Sequence, residues 1–286
     1  MSGCTPRHPA PKPEDSLTSG RIRIVCPADV GGLIEKEREA FSALYPDAHI
    51  EMVRGTSSEG IRELFSARAE LAVTTRDLSA EERSAATRAK LGVEGYGVAR
   101  DGIVLVVHSG SAVENLTVED VRHIYEGQAT RWSAFGGPAD EIVPVAQTPG
   151  DLTEAFVLQV MAGNPIQARS LIAGSDSATV AEVMRHPGAI GYVTLGWADR
   201  GATALRLSSL QGLPYWKPDL EAVYQGEYPL TRAVTLLVRT NGHPLANGFV
   251  TYVTSRDGQK IVKDAGLVPT TVPVRFVRRS PMKSDH

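Results

Sequence analysis

Long apolar runs, clustered cysteines and an excess of basic charge are all missing from this chain, and each absence removes a class of function. No run of about 18 apolar residues occurs, so no segment reads as a membrane-spanning helix. Cysteine appears twice, at Cys4 and Cys26, which provides neither a metal-ligand spacing nor a disulfide framework. Lys and Arg total 30 against 33 Asp and Glu, a formal net charge of -3. Nucleic acid is therefore not an expected partner, because no basic field draws a phosphate backbone. The Gly-x-x-x-x-Gly-Lys run that cradles nucleotide phosphates is absent, and nothing else reads as a cofactor motif.

What remains is ordinary globular material, 42% apolar and 22% charged over 286 residues, enough for two cores. The first 20 residues differ from the rest. Pro6, Pro9, Pro11 and Pro13 punctuate a polar stretch that reads as an extended tether over residues 1–20. Ser2-Gly3-Cys4 at its start resembles the end of a bacterial lipoprotein signal, which predicts a lipid on Cys4; the alternative is an ordinary thiol.

From Arg21 onward, strand-like and helix-like segments alternate. Ile22–Val25, His49–Val53 and Leu71–Thr74 read as strands. Leu33–Leu44, Ser58–Ala67 and Ser79–Lys90 read as helices, the last opening on a capping-type Ser-Ala-Glu-Glu. Ile103–Val107 is a continuous apolar run, as expected of a strand covered on both faces. A second block follows, with strands at Ile142–Val145, Ala189–Val193 and Ala233–Val238. Helices are predicted from Leu116, over Asp151–Met161 and Ala178–Met184, and near 246–254 and 258–263. The alternation predicts an α/β chain with a largely parallel sheet.

Five phrases carry a resemblance. They are Asp101-Gly102-Ile103-Val104-Leu105-Val106-Val107, Leu116-Thr117 with Ile124-Tyr125-Glu126-Gly127 and Trp132, Pro187-Gly188-Ala189-Ile190-Gly191-Tyr192-Val193, Tyr228-Pro229-Leu230-Thr231-Arg232, and Ser255-Arg256-Asp257-Gly258 through Gly266-Leu267-Val268-Pro269. In this order the chain resembles the phosphate-binding receptors of bacterial ABC importers. The resemblance implies a two-lobed periplasmic-binding-protein-like fold, each lobe a mixed sheet flanked by helices, with a cleft and hinge strands between. Residues 21–102 and 233–286 would form one lobe and 103–232 the other. It also implies an extracytoplasmic, non-enzymatic receptor that hands a small solute, phosphate by default, to the membrane subunits of an importer.

Carried over position by position, the resemblance implies ligand contacts at Asp29, Val30, Ser57, Thr75, Arg76, Gln147, Asp151 and Thr153. Ser57, in Gly55-Thr56-Ser57-Ser58-Glu59, matches the family's hydroxyl position, with helix capping as its alternative role. Thr75-Arg76 stands where the family has Ser-Arg, and Arg76 could instead pair with carboxylates in its own lobe. Asp29 stands where Thr is usual, and its other role is to N-cap the next helix. The fourth loop departs furthest. Gln147 occupies the Arg position, Asp151 the Ser position and Leu152 the Gly position, and Thr153 alone agrees. Asp151 with Glu154 three residues on is a capping-box pattern.

Magnitudes show what these departures cost an anion. A hydrogen bond from a charged donor contributes about 1.5–3 kcal/mol, most of which Gln in place of Arg forfeits. A carboxylate about 4 Å from a negative charge repels it by about 4 kcal/mol at an effective dielectric near 20. Together these weaken phosphate binding by roughly three to four powers of ten, unless Asp29 and Asp151 turn away or a cation such as Arg76 compensates. The same carboxylates could accept from a solute bearing an amine or hydroxyls. The alternative, from another class, is a ligand-altered or ligand-free receptor-fold module used for sensing or protein interaction. Cys26 as a nucleophile is the enzymatic reading and lacks a base beside it in sequence. Trp132, Trp197 and Trp216 are expected to pack under loops.

Overall fold

The computed structural model describes residues 15–271, so Cys4 and most of the predicted tether lie outside the described residues. Residues 15–19 are not free of the fold, contrary to the tether expectation. The Asp15 carboxylate lies 3.1 Å from His243 Nε2. The Leu17 carbonyl sits so close to Gly248 that a Cβ there would meet it at 1.8 Å, so glycine is required for this contact.

The first half of the chain runs β1 (Gly20–Cys26), α1 (Gly31–Leu44), β2 (Ala48–Arg54), α2 (Ser57–Phe65), β3 (Leu71–Thr74), α3 (Ala80–Arg88) and β4 (Val93–Val107). There follow β5 (Asn115–Thr117), α4 (Val118–Tyr125), β6 (Val143–Gln147), α5 (Asp151–Gln159), β7 (Leu171–Ala173), α6 (Asp176–Arg185) and β8 (Ala189–Thr194). The remainder is β9 (Thr203–Ala204), β10 (Arg206–Ser208), α7 (Leu220–Gln225), β11 (Thr231–Arg239), α8 (Pro244–Thr254), α9 (Arg256–Asp264) and β12 (Val268–Pro269).

The main sheet is mixed, with strand order β2-β1-β3-β11-β4-β8-β6-β7. Parallel pairs lie at its two ends, β1 with β2 and β3, and β6 with β7 and β8. The middle is antiparallel, where β11 pairs with β3 and β4, and β4 with β8. The expectation of a largely parallel sheet therefore needs correction. The cause is β4, which is 15 residues long where the apolar run marked only its last five. Residues 93–102 of β4 pair with β11, and 103–107 pair with β8. The first part is exposed from Glu94 to Gly97 and includes two glycines, so it carries no apolar signal.

The buried side chains separate at the same point, and the fold is two-lobed. One core gathers Ile22, Ile24, Phe41, Leu71, Val98, Leu236, Phe249 and their neighbours. The other gathers Ile103 to Val107, Tyr125, Phe156, Ile190, Tyr192 and Leu230. Ile103 to Val107 are all fully buried. Each such side chain contributes roughly 1.5–3 kcal/mol relative to exposure, so this stretch anchors the second core. A smaller cluster of Ile61, Leu64, Ala72 and Leu237 covers the other face of the first sheet under α2.

Candidate functional site

The loops that the sequence singled out do meet between the two cores, and local capping decides which of their side chains are free. Thr56 N-caps α2, accepting from the Glu59 N–H while the Glu59 carboxylate accepts from the Thr56 N–H. That capping box leaves Ser57 as the first helical residue, with its hydroxyl uncommitted and its N–H among the unpaired donors of the helix start. Capping, the alternative role for Ser57, thus belongs to Thr56.

Asp151 takes what Ser57 offers. The Ser57 N–H donates to both carboxylate oxygens of Asp151, at 3.0 and 3.1 Å. The Ser57 hydroxyl donates to Asp151 Oδ2 as well, in a very short contact. The Thr75 hydroxyl adds a third donor to that oxygen, at 3.1 Å. The Thr75 N–H donates to Ser57 Oγ at 3.0 Å, which leaves the serine proton to point at Asp151. The prediction that Asp151 caps α5 fails. Gly150 is the N-cap in an extended conformation, and no side chain caps the helix. Asp151 instead reaches into the opposite lobe and is 6% exposed.

The start of α5 is held in place from below. Phe156 stacks on Tyr192 with ring centroids 4.1 Å apart and planes 8° from parallel. Tyr125 packs edge-on against both rings. The Tyr192 hydroxyl accepts from the Gln147 N–H and shares a hydrogen bond with Thr153 Oγ1 at 2.9 Å. Thr153 also donates toward the carbonyls of Gln147 and Thr148. Its hydroxyl braces the loop of its own lobe.

Gln147 turns inward too. Its Nε2 donates to Asp176 Oδ1 at 2.7 Å and to the Tyr192 carbonyl at 3.0 Å. Burial pushes the Asp176 carboxyl up, against the pull of Thr194 and Gln147. An Arg at position 147 would lie against this carboxylate. A Gln there satisfies it as a neutral donor and projects no charge into the cleft.

Asp29 caps nothing either. Val30 is the N-cap of α1, with no side-chain cap bond, and is itself buried in the first core. Asp29 Oδ2 lies 2.5 Å from Arg232 Nη1. The same guanidinium donates to Asp101 Oδ2 from Nε at 3.0 Å and from Nη2 at 2.8 Å. Arg232 and Asp101 are register partners on β11 and β4, where those strands pass between the lobes. Asp101 Oδ1 also accepts from the N–H groups of Gly102 and Leu195. Burial works against the Arg232 charge, but Asp29 and Asp101 outweigh it and hold the guanidinium above its ordinary range.

The compensating cation for Asp29 is thus Arg232. Sequence reasoning counted it within a family phrase and assigned it no role. Its signal was present: Asp101 and Arg232 are charges adjoining apolar strand runs. Arg76, the expected alternative, stays in its own lobe. Its Nη1 and Nη2 each lie 2.8 Å from a Glu82 carboxylate oxygen, and Nη2 also donates to Ser58 Oγ. That pairing holds the Glu82 carboxyl below its usual range. Glu154 of the other lobe stands 3.9 Å from Arg76 Nε.

A cavity of about 490 Å³ opens between the lobes, bounded by Asp29, Arg54, Thr56, Glu59, the 147–153 loop, Ser175 and Trp197. A smaller one of about 220 Å³ lies behind it, beside Thr75, Arg76, Glu154 and Arg232. Asp151 borders both. Trp197 is therefore a cleft residue and not only loop packing, with the Arg200 guanidinium 4.7 Å from its ring centre. Cys26 is 1% exposed, and burial, then Asp29 and Asp151, push its thiol far up. Those surroundings are the reverse of what activates a nucleophilic cysteine.

Comparison with known proteins agrees with the two-lobed fold. The family model described as a PBP superfamily domain matches residues 12–257. The phosphate-binding protein PstS of Bacillus subtilis is 27% identical over 259 residues, covering 90% of this chain and 83% of that protein. A solved structure from Clostridium perfringens, described as a phosphate ABC transporter substrate-binding protein with bound phosphate, superposes with a TM-score of 0.74. It is 26% identical, over 88% of this chain and all of that one. An ABC-type phosphate transport receptor from Vibrio cholerae has the same TM-score at 23% identity, covering 87% of this chain and all of that one.

Proposed function

The chain belongs to the PBP superfamily, and from that premise we propose that it is an extracytoplasmic solute receptor that captures a small oxyanion for an ABC importer, phosphate by default. The observation that carries this reading is the convergence of three donors on one carboxylate oxygen. The Ser57 N–H, the Ser57 hydroxyl and the Thr75 hydroxyl form a donor hole of the polarity an oxyanion requires. The relatives named above as phosphate-binding proteins and transport receptors support the same reading. Ser57 and Thr75 are the direct contacts in this proposal, with Asp29, Val30, Arg76, Gln147, Asp151 and Thr153 shaping the cleft around them.

The lobes in this reading are residues 21–102 with 233 onward, and 103–232, swinging about β4 and β11. Ligand contacts from both halves would favour the shut state. The protein would act as a carrier and not as an enzyme, engage the importer's membrane subunits, and sit at the cell envelope through a lipid on Cys4. Isothermal titration with phosphate, sulfate and a panel of small amines tests the solute class. Heat on phosphate injection, lost in the double variant Ser57→Ala/Thr75→Ala, is the expected result. Binding of an amine and no oxyanion would overturn the assignment.

One observation favours a second reading, a receptor-shaped module that senses or binds protein without a solute. The donors of the hole are already engaged by Asp151. Thermal shift separates the two, because a solute that prefers the folded state raises the melting temperature and an idle cleft does not respond.

A further inference from the structure

We propose that the Asp151 carboxylate is a tethered occupant of the oxyanion hole, holding the two lobes together in the absence of solute and yielding the hole only to a competing oxyanion. This rests on the oxyanion reading of the hole and adds its regulation.

The contact is directed, not incidental. Among the described residues, every hydrogen bond Asp151 accepts through its carboxylate comes from Ser57 or Thr75, which lie 94 and 76 residues away in the chain. It does not cap its own helix, whose N-cap is Gly150. Among the described residues no guanidinium pairs with it, because Arg76 is engaged by Glu82 and Ser58 and Arg232 by Asp29 and Asp101. Asp151 is almost wholly buried and lines both cleft cavities. The Phe156–Tyr192 stack fixes α5 from beneath, so the side chain is aimed by its scaffold.

A carboxylate offers the same acceptor edge as two oxygens of a phosphate. Attached to the protein, it competes at an effective concentration in the millimolar range or above, independent of how much solute is present. The apparent affinity for solute then falls by the fraction of molecules in which the hole is free. A receptor of this kind answers only to abundant oxyanion, and presents a shut form whether or not it is loaded.

The test reads lobe separation and solute binding independently. Nitroxide labels on Arg62→Cys and Ala181→Cys, one per lobe, in a Cys4→Ser background of the full chain, report the distance by pulsed electron resonance. In otherwise wild-type protein without phosphate, one short, narrow distance is expected. Asp151→Ala should broaden and lengthen it, and Ser57→Ala/Thr75→Ala should do the same from the opposite side. Inorganic phosphate should close Asp151→Ala again, with an apparent affinity at least tenfold tighter than wild type by calorimetry. A long or broad distance in unliganded wild type overturns the proposal, as does a short one in both variants. If Asp151→Ala opens but ignores phosphate, the intramolecular contact stands and the oxyanion reading falls instead.

Discussion

Arg232 on β11 faces Asp101 on β4, and two guanidinium nitrogens lie within 3.0 Å of a single carboxylate oxygen. Both side chains are nearly sealed from solvent, and Asp29 completes the cluster from the β1–α1 loop. Removing one member of such a group leaves a buried charge without a partner, which costs about 3–5 kcal/mol. Arg232→Ala should therefore lower stability by about that amount in urea denaturation. Arg232→Ala combined with Asp29→Asn and Asp101→Asn should recover part of the loss, because fewer uncompensated carboxylates remain. A triple variant no better than the single one would show that the guanidinium acts by packing and not by charge.

Glu37 provides a stability change that depends on pH. It lies on α1, fully buried, and among the described residues neither carboxyl oxygen has a hydrogen-bond partner. Burial pushes its carboxyl from 4.5 up to about 8. The unfolded chain releases this proton near 4.5, and the folded chain keeps it until about 8. Between those values the folded state binds the extra proton, so stability falls as pH rises through the window and levels off above it. The full effect is on the order of 4 kcal/mol. Glu37→Gln should flatten it: the melting temperature of wild type should drop several degrees more between pH 6 and pH 9 than that of the variant. Parallel profiles would remove Glu37 as the cause.

Phe156 tests the scaffold beneath the cleft. Its ring is fully buried between Tyr125 and Tyr192. Phe156→Ala should destabilise by about 3–5 kcal/mol, the range for a truncated core aromatic. It should also broaden lobe separation by letting the start of α5 shift. Thermal denaturation measures the first effect and solution scattering the second.

Phosphate affinity should improve sharply when the two largest departures of the fourth loop are reversed together. Asp151→Ser removes the repelling carboxylate, and Gln147→Arg adds a charged donor, part of whose charge Asp176 takes up. Asp29 is left in place, because Arg232 already pairs with it. The combined gain should be on the order of a thousandfold, read by calorimetry. No measurable gain would mean that the 147–153 loop does not touch the solute.

How much was visible beforehand depended on whether the cause was local. Strand Leu71–Thr74 is found at its predicted limits, and the other predicted strands and helices lie within a few residues of theirs, because apolar periodicity is written in neighbouring residues. The first ten residues of β4 were missed, since glycines and exposed positions mask a strand whose stability comes from β11, far along the chain. Short β5, β7, β9 and β10, and the six-residue α7, carry too few residues for a period.

In the cleft, the two positions singled out by resemblance, Ser57 and Thr75, do come together, on Asp151. The fates of Asp29 and Asp151 were not legible, because each looked like a helix cap. An aspartate before a helix reads the same whether it bonds its own amides or a group 94 residues away, as Asp151 does with Ser57. Gly150 in extended geometry and Val30 as a cap without side-chain bonding are what freed both carboxylates.

Strand β4 contributes its early residues to one hydrophobic core and its late residues to the other, with no loop between them. A fragment cut at Gly102 would therefore lose β11, the strand that joins β3 to β4 in its own sheet. The chain should melt as one cooperative unit despite its bilobal outline, and separately expressed halves should regain structure only when mixed.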